Sequence, residues 1–545
     1  MRAIADNHFF RIHFRQRAMT EKSRKILFIS VDQWRGECLS ALGHPMVKTP
    51  NLDALAAEGV LFQRHYTVCA PCGPARTSLH TGTYLMNHRS GRNGTPLDSR
   101  FTNVAWEARK AGYDPTLFGY TDTSLDPRTR NADDPALKTY EGVLPGFTVG
   151  MQLPDHMAPW VADLKARGYD LPNGRWDVYK PRPGFEKPAD RGHTFIPTMF
   201  TAEESETTFM ADTVMRWLSV RRDQNWFVHC VFLRPHPPII APEPYNAMYD
   251  PAQVPMVNRK TTPEEEAQQH PLLKVKLESF DGRTGYDEHN PNNLVRMPEL
   301  ELRQMRATYY GMITQVDDQI GRLIAYLKES GEYEDTLIVL TCDHGEMGGD
   351  HYCWGKEVYF EQSFHIPLII RDPRRLADKG RGTRIDRFTE SVDILPTILD
   401  WLGRPIPDQC DGRSLLPFLE GAPPPDWRKE VHYELDFRFS YTSPGFDGET
   451  ALGLHPDECY LTAIRDEDYK YVHFVNLPPL LFDMRKDPHE MNNLAADPEY
   501  RDVLLAYAQK MLSWRMRHVD RTLVNLHLTD RGVLDGRQRH LRGQA

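Results

Sequence analysis

A chain of 545 residues with 40% apolar and 26% charged side chains has a globular composition and enough length for a substantial core. Its Gly, Pro and Cys usage excludes collagen-like, low-complexity and disulfide-scaffold classes, and no window approaches the ~18 consecutive apolar residues of a membrane-spanning helix. The net charge of -10, from 66 Lys and Arg against 76 Asp and Glu, removes the positive field that sequence-independent nucleic-acid binding uses. Neither a nucleic acid nor a membrane is an expected partner.

Met1 to Met19 holds several Arg and three Phe but no apolar stretch of roughly 7–15 residues, so no secretory leader is expected, and Met19 is an alternative start. Lys25 to Val31 predicts a buried, parallel-type strand that ends at Asp32-Gln33. Thr49-Pro50 opens a short helix over Asn51 to Glu58, stopped by Gly59. Further strands are predicted over Thr116 to Tyr120 and Trp226 to Leu233, the second ending at Arg234-Pro-His-Pro-Pro238. A long amphipathic helix over Leu302 to Ser330 leads into a strand over Thr336 to Thr341, which ends at Cys342-Asp343-His344-Gly345. His365 to Arg371 reads as one more buried strand. This alternation predicts an α/β fold on a mostly parallel sheet.

Residues 142–200 and 242–300 are rich in Pro, Gly and charge and read as loops over a site. From about Trp427 the texture changes. Val431 to Phe439 and Tyr460 to Phe474 predict antiparallel strands, and Pro498 to Arg515 a helix capped by Asp497. The expected division is a catalytic unit over 20–425, a smaller α+β unit over 426–516, and a polar, basic arm over 517–545 that contacts other subunits.

Asp32-Gln33 and Asp343-His344 both follow apolar strands. Ligands of open α/β sheets sit beyond the carboxyl ends of the strands, so the two pairs are expected to meet in one crevice. Two carboxylates, an amide oxygen and an imidazole suit Ca2+, Mn2+ or Mg2+, the nitrogen favouring Mn2+. Each pair alone also fits ordinary turn chemistry.

The eight cysteines are scattered except for Cys69 and Cys72, which suits a reducing, cytoplasmic setting. The close pair has three readings: a redox dithiol, half of a zinc site, or Cys72 acting alone. Pro74 fits the first turn of a helix, which would place Cys72 at the positive helix end as an activated nucleophile, with Arg76 one turn on.

Cys72-Gly-Pro-Ala-Arg76 resembles the sulfatase signature Cys-x-Pro-x-Arg. Asp32-Gln33, Asp343-His-Gly-Glu346, Gly349-Asp-His351 with Lys356, Ser391-Val-Asp-Ile-Leu-Pro-Thr397 and Leu481-Phe-Asp-Met-Arg-Lys-Asp-Pro488 follow in the same order as the sulfatase landmarks. The chain is thereby identified as a member of the sulfatase branch of the alkaline phosphatase superfamily. Pro71-Cys-Gly-Pro-Ala-Arg76, Tyr84-Leu-Met-Asn-His-Arg89, Gly119-Tyr-Thr-Asp122, Asp126-Pro-Arg128, Arg234-Pro-His-Pro-Pro238, Ser513-Trp-Arg515 and Asp520-Arg-Thr-Leu523 bring it nearest the bacterial phosphonate monoester hydrolases. Typical sulfatases place Lys and His where this chain has Tyr120 and Asp122. The phosphonate enzymes are expected to place Thr where it has Asp122, and a carboxylate there would repel an anionic substrate or bind a cationic one.

The resemblance implies an alkaline phosphatase-like fold: a large, mostly parallel sheet flanked by helices, with a C-terminal α+β subdomain on an antiparallel sheet. It implies that Cys72 is converted to formylglycine by a formylglycine-generating enzyme. One hydroxyl of the hydrated aldehyde would attack phosphorus or sulfur and displace the alcohol; the other would then expel the anion and restore the aldehyde. Asp32, Gln33, Asp343 and His344, with residue 72, would hold one divalent ion, Mn2+ or Ca2+. Arg76 would hold the nucleophile, Lys356 a nonbridging oxygen, and His236 would serve the leaving group. Asn93, Tyr120 and Asp122 would line the substrate pocket, with Arg92, Arg128, Trp354 and Tyr359 as further lining candidates. His351 reads as a support, and His80 and His365 as structural. The implied substrates are phosphonate monoesters and phosphodiesters, with sulfate esters accepted as well. An arylsulfatase proper is the alternative, and an inactive metal-binding module the third reading. The implied assembly is a homotetramer, or else a homodimer.

Overall fold

The computed structural model describes residues 24–153, 157–171, 177–281, 290–439, 448–530 and 532–535. All eight residues of β1 (Lys25–Asp32) are buried, as a strand covered on both faces requires. It lies at the centre of a nine-stranded sheet. The partners from the first half of the chain are β2 (Val60–Tyr66), β4 (Pro115–Gly119), β5 (Thr148–Gln152) and β6 (Phe227–Pro235), with the short β3 (Cys69–Ala70) lying outside this sheet. The second half adds β7 (Thr336–Cys342), β8 (His365–Ile366), β9 (Leu368–Arg371) and β10 (Thr383–Glu390).

The order is β10-β2-β9-β7-β1-β6-β4-β5, with β8 beside β2. β1 runs parallel to both β6 and β7, and β4 runs parallel to β5 and β6. The exception is the run expected as one strand over His365 to Arg371. Pro367, with no N–H to donate, divides it into β8 and β9, and β9 lies antiparallel to both β7 and β2.

Helices cover both faces. The long one, Glu299–Glu329, buries Met305, Tyr309, Met312, Val316, Ile320, Leu323 and Leu327, the stripe its three- and four-residue spacing predicts. Its Asp317 accepts from the backbone N–H of Asn51 (3.1 Å) and Leu52 (2.8 Å), so one helix caps the start of the helix Pro50–Glu58. The stretches expected as loops are more regular than that: 142–200 contains β5 and a helix Ala158–Ala166, and 242–300 contains helices Pro263–Ala267 and Pro271–Phe280. Among the described residues no helix is long and apolar enough to cross a membrane.

A second sheet follows the order β14-β13-β12-β11-β3, with β11 (Val431–Asp436), β12 (Tyr460–Arg465), β13 (Tyr469–Phe474) and β14 (Leu480–Asp483) antiparallel. Its edge comes from elsewhere in the chain: β3 pairs in parallel with β11 through Glu434–Cys69 and Leu435–Ala70. The second sheet is therefore tied to the segment that immediately precedes Pro71-Cys72. Asp497 caps a single 3-10 turn, Pro498–Tyr500, from which the helix Arg501–His518 continues. The arm then forms a hairpin, β15 (Leu526–Thr529) with β16 (Gly532–Asp535).

Candidate active site

The parallel strands converge at their carboxyl ends. Val31 is in register with Cys342, and Asp32 with Pro235 across a local irregularity. Asp32 therefore lies beside Asp343-His344 on one side and the turn carrying His236 on the other. Tyr120 and Asp122 leave β4 at the same edge. Into this crevice points the helix Cys72–Thr81, whose ten residues are all buried; Cys72 is its first residue and Gly82, in the left-handed region, ends it.

Asp32, Cys72, Asp343 and His344 each offer one ligand atom, and these atoms lie within 4.8 Å of one another. The orientation of His344 follows from its neighbours. Its Nδ1 lies 3.1 Å from the Gly345 carbonyl, which only accepts, so Nδ1 carries the proton and Nε2 turns its lone pair inward. Burial pushes the imidazole well below its ordinary pKa, which keeps it neutral and fit to ligate. Nε2 is 3.1 Å from Cys72 Sγ. Asp32 Oδ1 is buried and has no hydrogen-bond donor. A bare carboxylate oxygen facing an imidazole lone pair and a second carboxylate is a donor set that fits a divalent cation.

Arg76 makes two buried carboxylates tolerable in so small a space. Its Nη2 is 2.7 Å from Asp32 Oδ2 and its Nε 3.0 Å from Asp343 Oδ2, while Nη1 donates to the Tyr120 carbonyl at 3.2 Å. The guanidinium lies over the Tyr120 ring, 4.1 Å from its centroid. Arg76 thus reaches the carboxylates that flank Cys72. Tyr120, expected to line a pocket, donates its hydroxyl to Asp32 Oδ2 at 2.6 Å and orients that carboxylate. Asp122 lies 3.7 Å from Arg76 Nε, and burial pushes its carboxyl up to about 7.

The thiol departs from the expectation of an activated nucleophile. A helix terminus favours an anion by roughly 0.3–1 kcal/mol at an exposed site, whereas burying a charge costs several kcal/mol. Burial, reinforced by Asp32, prevails and pushes the Cys72 thiol well above its ordinary range. Unmodified Cys72 is a neutral thiol. The dithiol and zinc readings are not realised either, because Cys69 Sγ turns to Ser78 Oγ (3.3 Å) and both cysteines are free.

Lys356 Nζ donates to Gln33 Oε1 at 2.7 Å. Burial acts to lower its pKa, but the negative charge of the site, Asp32 and Asp343 included, reverses this, so it stays cationic. Asn93 Oδ1 accepts from the Gly73 N–H at 2.8 Å and so holds the first turn of the Cys72 helix. His236 Nδ1 lies 2.6 Å from the Pro237 carbonyl, which leaves Nε2 as its acceptor nitrogen, and burial lowers its pKa to about 4.

The other residues singled out by sequence have the following partners. Arg128 pairs with Asp126 (2.7 Å) and Asp98 (3.1 Å) and is largely exposed. His80 Nε2 meets His229 Nε2 (3.1 Å) beneath the helix, and His365 Nε2 meets the Gln63 carbonyl (2.9 Å). His351 Nδ1 pairs with Glu266 at 2.8 Å, and its ring stacks on Phe360. Trp354 Nε1 donates to the Leu294 carbonyl (3.1 Å) and Tyr359 to Gln269 (2.8 Å). Arg92 pairs with Glu357, which Lys276 also approaches at 3.4 Å. Sequence reasoning missed this cluster, since no spacing links residues 92, 276 and 357. It also left Glu346 without a role, although that residue accepts from the Gln33 amide; its place three residues after Asp343 was the available signal.

The family model described as Sulfatase matches residues 24–404, and the C-terminal model of N-sulphoglucosamine sulphohydrolase matches 349–517. The multifunctional alkaline phosphatase superfamily protein PehA of Trinickia caryophylli is 44% identical over 522 residues, which is 94% of this chain and 99% of that protein. The crystal structure of the phosphonate monoester hydrolase of Agrobacterium radiobacter superposes with a TM-score of 0.88 at 46% identity, covering 94% of this chain and 99% of that one. The phosphonate monoester hydrolase of Silicibacter pomeroyi does so at 0.86 and 42%, with the same coverage.

Proposed function

This chain belongs to the sulfatase family of the alkaline phosphatase superfamily, a family of ester hydrolases, and from that premise we propose that it is a formylglycine-dependent, metal-assisted hydrolase of phosphonate monoesters and phosphodiesters that also accepts sulfate monoesters. The observation that carries this reading is the position of Cys72: first in a buried helix, 3.1 Å from His344 Nε2 and grouped with Asp32 and Asp343. A thiol held neutral there is a poor nucleophile but a fit precursor of an aldehyde hydrate, whose hydroxyl carries the attack.

Asp32, Gln33, Asp343 and His344 would hold one divalent ion, with Mn2+ or Ca2+ as the candidates. When bound, it would lower the pKa of a coordinated hydroxyl and neutralise charge on nonbridging oxygens. Arg76 and Tyr120 keep the carboxylates in place. Lys356, the cation beside residue 72, holds a nonbridging oxygen of the substrate. Asn93 fixes the helix turn that presents the nucleophile. His236 is neutral in the free enzyme, so it serves the leaving alcohol once an anionic substrate has raised its proton affinity. Asp122, protonated in part near neutral pH, contributes less repulsion to an anion than an ordinary surface carboxylate would.

Because Cys72 is buried, the formylglycine-generating enzyme meets the chain before it has folded, in a cytoplasmic setting. Assembly into a homotetramer uses the C-terminal helix and hairpin. The direct test is to compare kcat/KM on an aryl phosphonate monoester and an aryl sulfate, together with mass spectrometry of the Cys72 peptide, which should lose ~18 Da on conversion of thiol to aldehyde. A strong preference for the sulfate would instead favour the arylsulfatase reading, and an unconverted, fully active protein would remove the mechanism.

A further inference from the structure

We propose that Glu346 is a positioning residue for the metal site: its carboxylate decides which end of the Gln33 side-chain amide faces the cavity. This rests on the metal reading above and extends it to a residue with no other assigned role.

Gln33 leaves β1 with a φ of 67°, in the left-handed region that costs a side-chain-bearing residue free energy. Its backbone is held from both sides. The N–H donates to Asp343 Oδ1 at 3.2 Å, and the carbonyl accepts from the Tyr309 hydroxyl at 2.7 Å. What the backbone contacts leave to be set is the facing of the amide. A half-turn changes its shape very little but exchanges a lone-pair oxygen for an NH2 group, and only the oxygen can ligate a cation.

Two neighbours select the orientation. Lys356, which only donates, is 2.7 Å from Oε1, and Glu346 Oε2, which only accepts when ionised, takes the hydrogen bond from Nε2. They are not equivalent. A divalent ion and the Lys356 ammonium are both positive and repel each other at Oε1, so Lys356 is the weaker hold on the amide when metal is present. Glu346 holds the opposite end and competes with nothing.

Glu346 is itself fixed. Its other oxygen, Oε1, accepts from the N–H of Gly348 at 2.7 Å and of Gly355 at 2.8 Å, and the Met347 N–H closes on the Gly355 carbonyl at 2.9 Å. The buried carboxylate therefore ties together the base of the loop that ends at Lys356. One side chain sets both the polarity of the Gln33 amide and the position of the residue after Gly355.

The test is a polarity exchange on the full chain. In Glu346→Gln, an oxygen kept on the two glycine N–H groups leaves NH2 facing Gln33 and turns its amide around. The affinity of the metal-stripped protein for Mn2+, read by equilibrium dialysis, should fall tenfold or more, a loss typical of partners that orient metal ligands. Adding Gln33→Glu supplies an acceptor for that NH2 and keeps an oxygen inward, so the double variant should return to within about threefold of the original affinity. Unchanged Mn2+ affinity in Glu346→Gln, or a double variant no tighter than the single, overturns the inference. If Glu346→Gln does not fold, a folded double variant supports the coupling and an unfolded one overturns it. Absence of Mn2+ binding by the unsubstituted protein would instead remove the metal reading itself.

Discussion

The crevice at the carboxyl edge of the central sheet and the arm after His518 invert ordinary burial in opposite directions. In the crevice, Asp32, Arg76, Asp343 and His344 are each at most 3% exposed, and Arg76 bridges the two carboxylates. In the arm, Leu523 is 73% exposed, Leu528 86% and Val533 62%, and the preceding helix shows Leu505, Leu512 and Met516 to solvent. Buried charge and exposed apolar surface are the informative deviations in a folded protein, and each signals a partner. In the proposed reading a cation meets Asp32 Oδ1 in the crevice, and a second subunit covers the arm. Only the crevice is rigidly prepared, because an unpaired buried charge costs far more than an exposed leucine.

The sharpest way to break the crevice is at its nucleophile. Cys72→Ala should reduce turnover about 10,000-fold or more while leaving the melting temperature nearly unchanged, as removal of a covalent nucleophile does elsewhere. Residual activity within tenfold of the original would show that the chemistry lies on another residue.

Next in size is Arg76→Met, which leaves Asp32 and Asp343 buried without their shared cation. Loss of one partner from a buried pair costs about 3–5 kcal/mol, so thermal melts without metal should show a large drop. Added Mn2+ should recover more stability in this variant than in the original, since the ion then supplies the missing positive charge. A smaller metal-induced shift than in the unsubstituted protein would contradict that account.

Three buried imidazoles outside the ligand group are kept neutral chiefly by desolvation. Burial lowers His65, His88 and His229 to about 3 each. The unfolded chain binds their protons first, so their contribution to stability is complete above about pH 6.5 and declines as pH falls towards 3. By pH 5, unfolding should take up about three protons from these groups, measurable as the slope of unfolding free energy against pH. A flat profile from pH 6.5 to 5 would be the contrary result.

The arm should matter least to chemistry. Leu528→Asp combined with Leu534→Asp should shift light scattering towards smaller assemblies while kcat/KM per subunit changes less than about threefold, since surface substitutions away from a site usually cost little. An unchanged mass would remove the arm as a contact between subunits.

Much of this was legible in the linear sequence where local chemistry and tertiary role coincide. The apolar runs of β1 and β7 announce buried strands, and the acidic residues that end them mark the crevice. The long helix follows from its stripe. The strands β2 and β10 were not legible: Gln63-Arg64-His65 and Arg384 to Arg387 place charge where a buried strand would be apolar, and β10 has its exposed positions at the sheet edge. Lys356, Gln33, Asn93 and Cys72 were selected by motif, and they do converge. Their partners were not visible, because Tyr120 with Asp32, Glu346 with Gln33 and β3 with β11 are 88, 313 and 365 positions apart and share no periodicity.

The sequence by itself determined the family, the central strands β1 and β7 and the residues that stand as candidates for ligation and conversion, since each depends on residue type and local order. Only the tertiary structure decided that Arg76 and Tyr120 hold carboxylates, that Cys72 is a neutral thiol, and that Glu346 reads the polarity of Gln33. Those properties arise from desolvation and from distances between groups far apart in the chain, and neither exists until the crevice has closed.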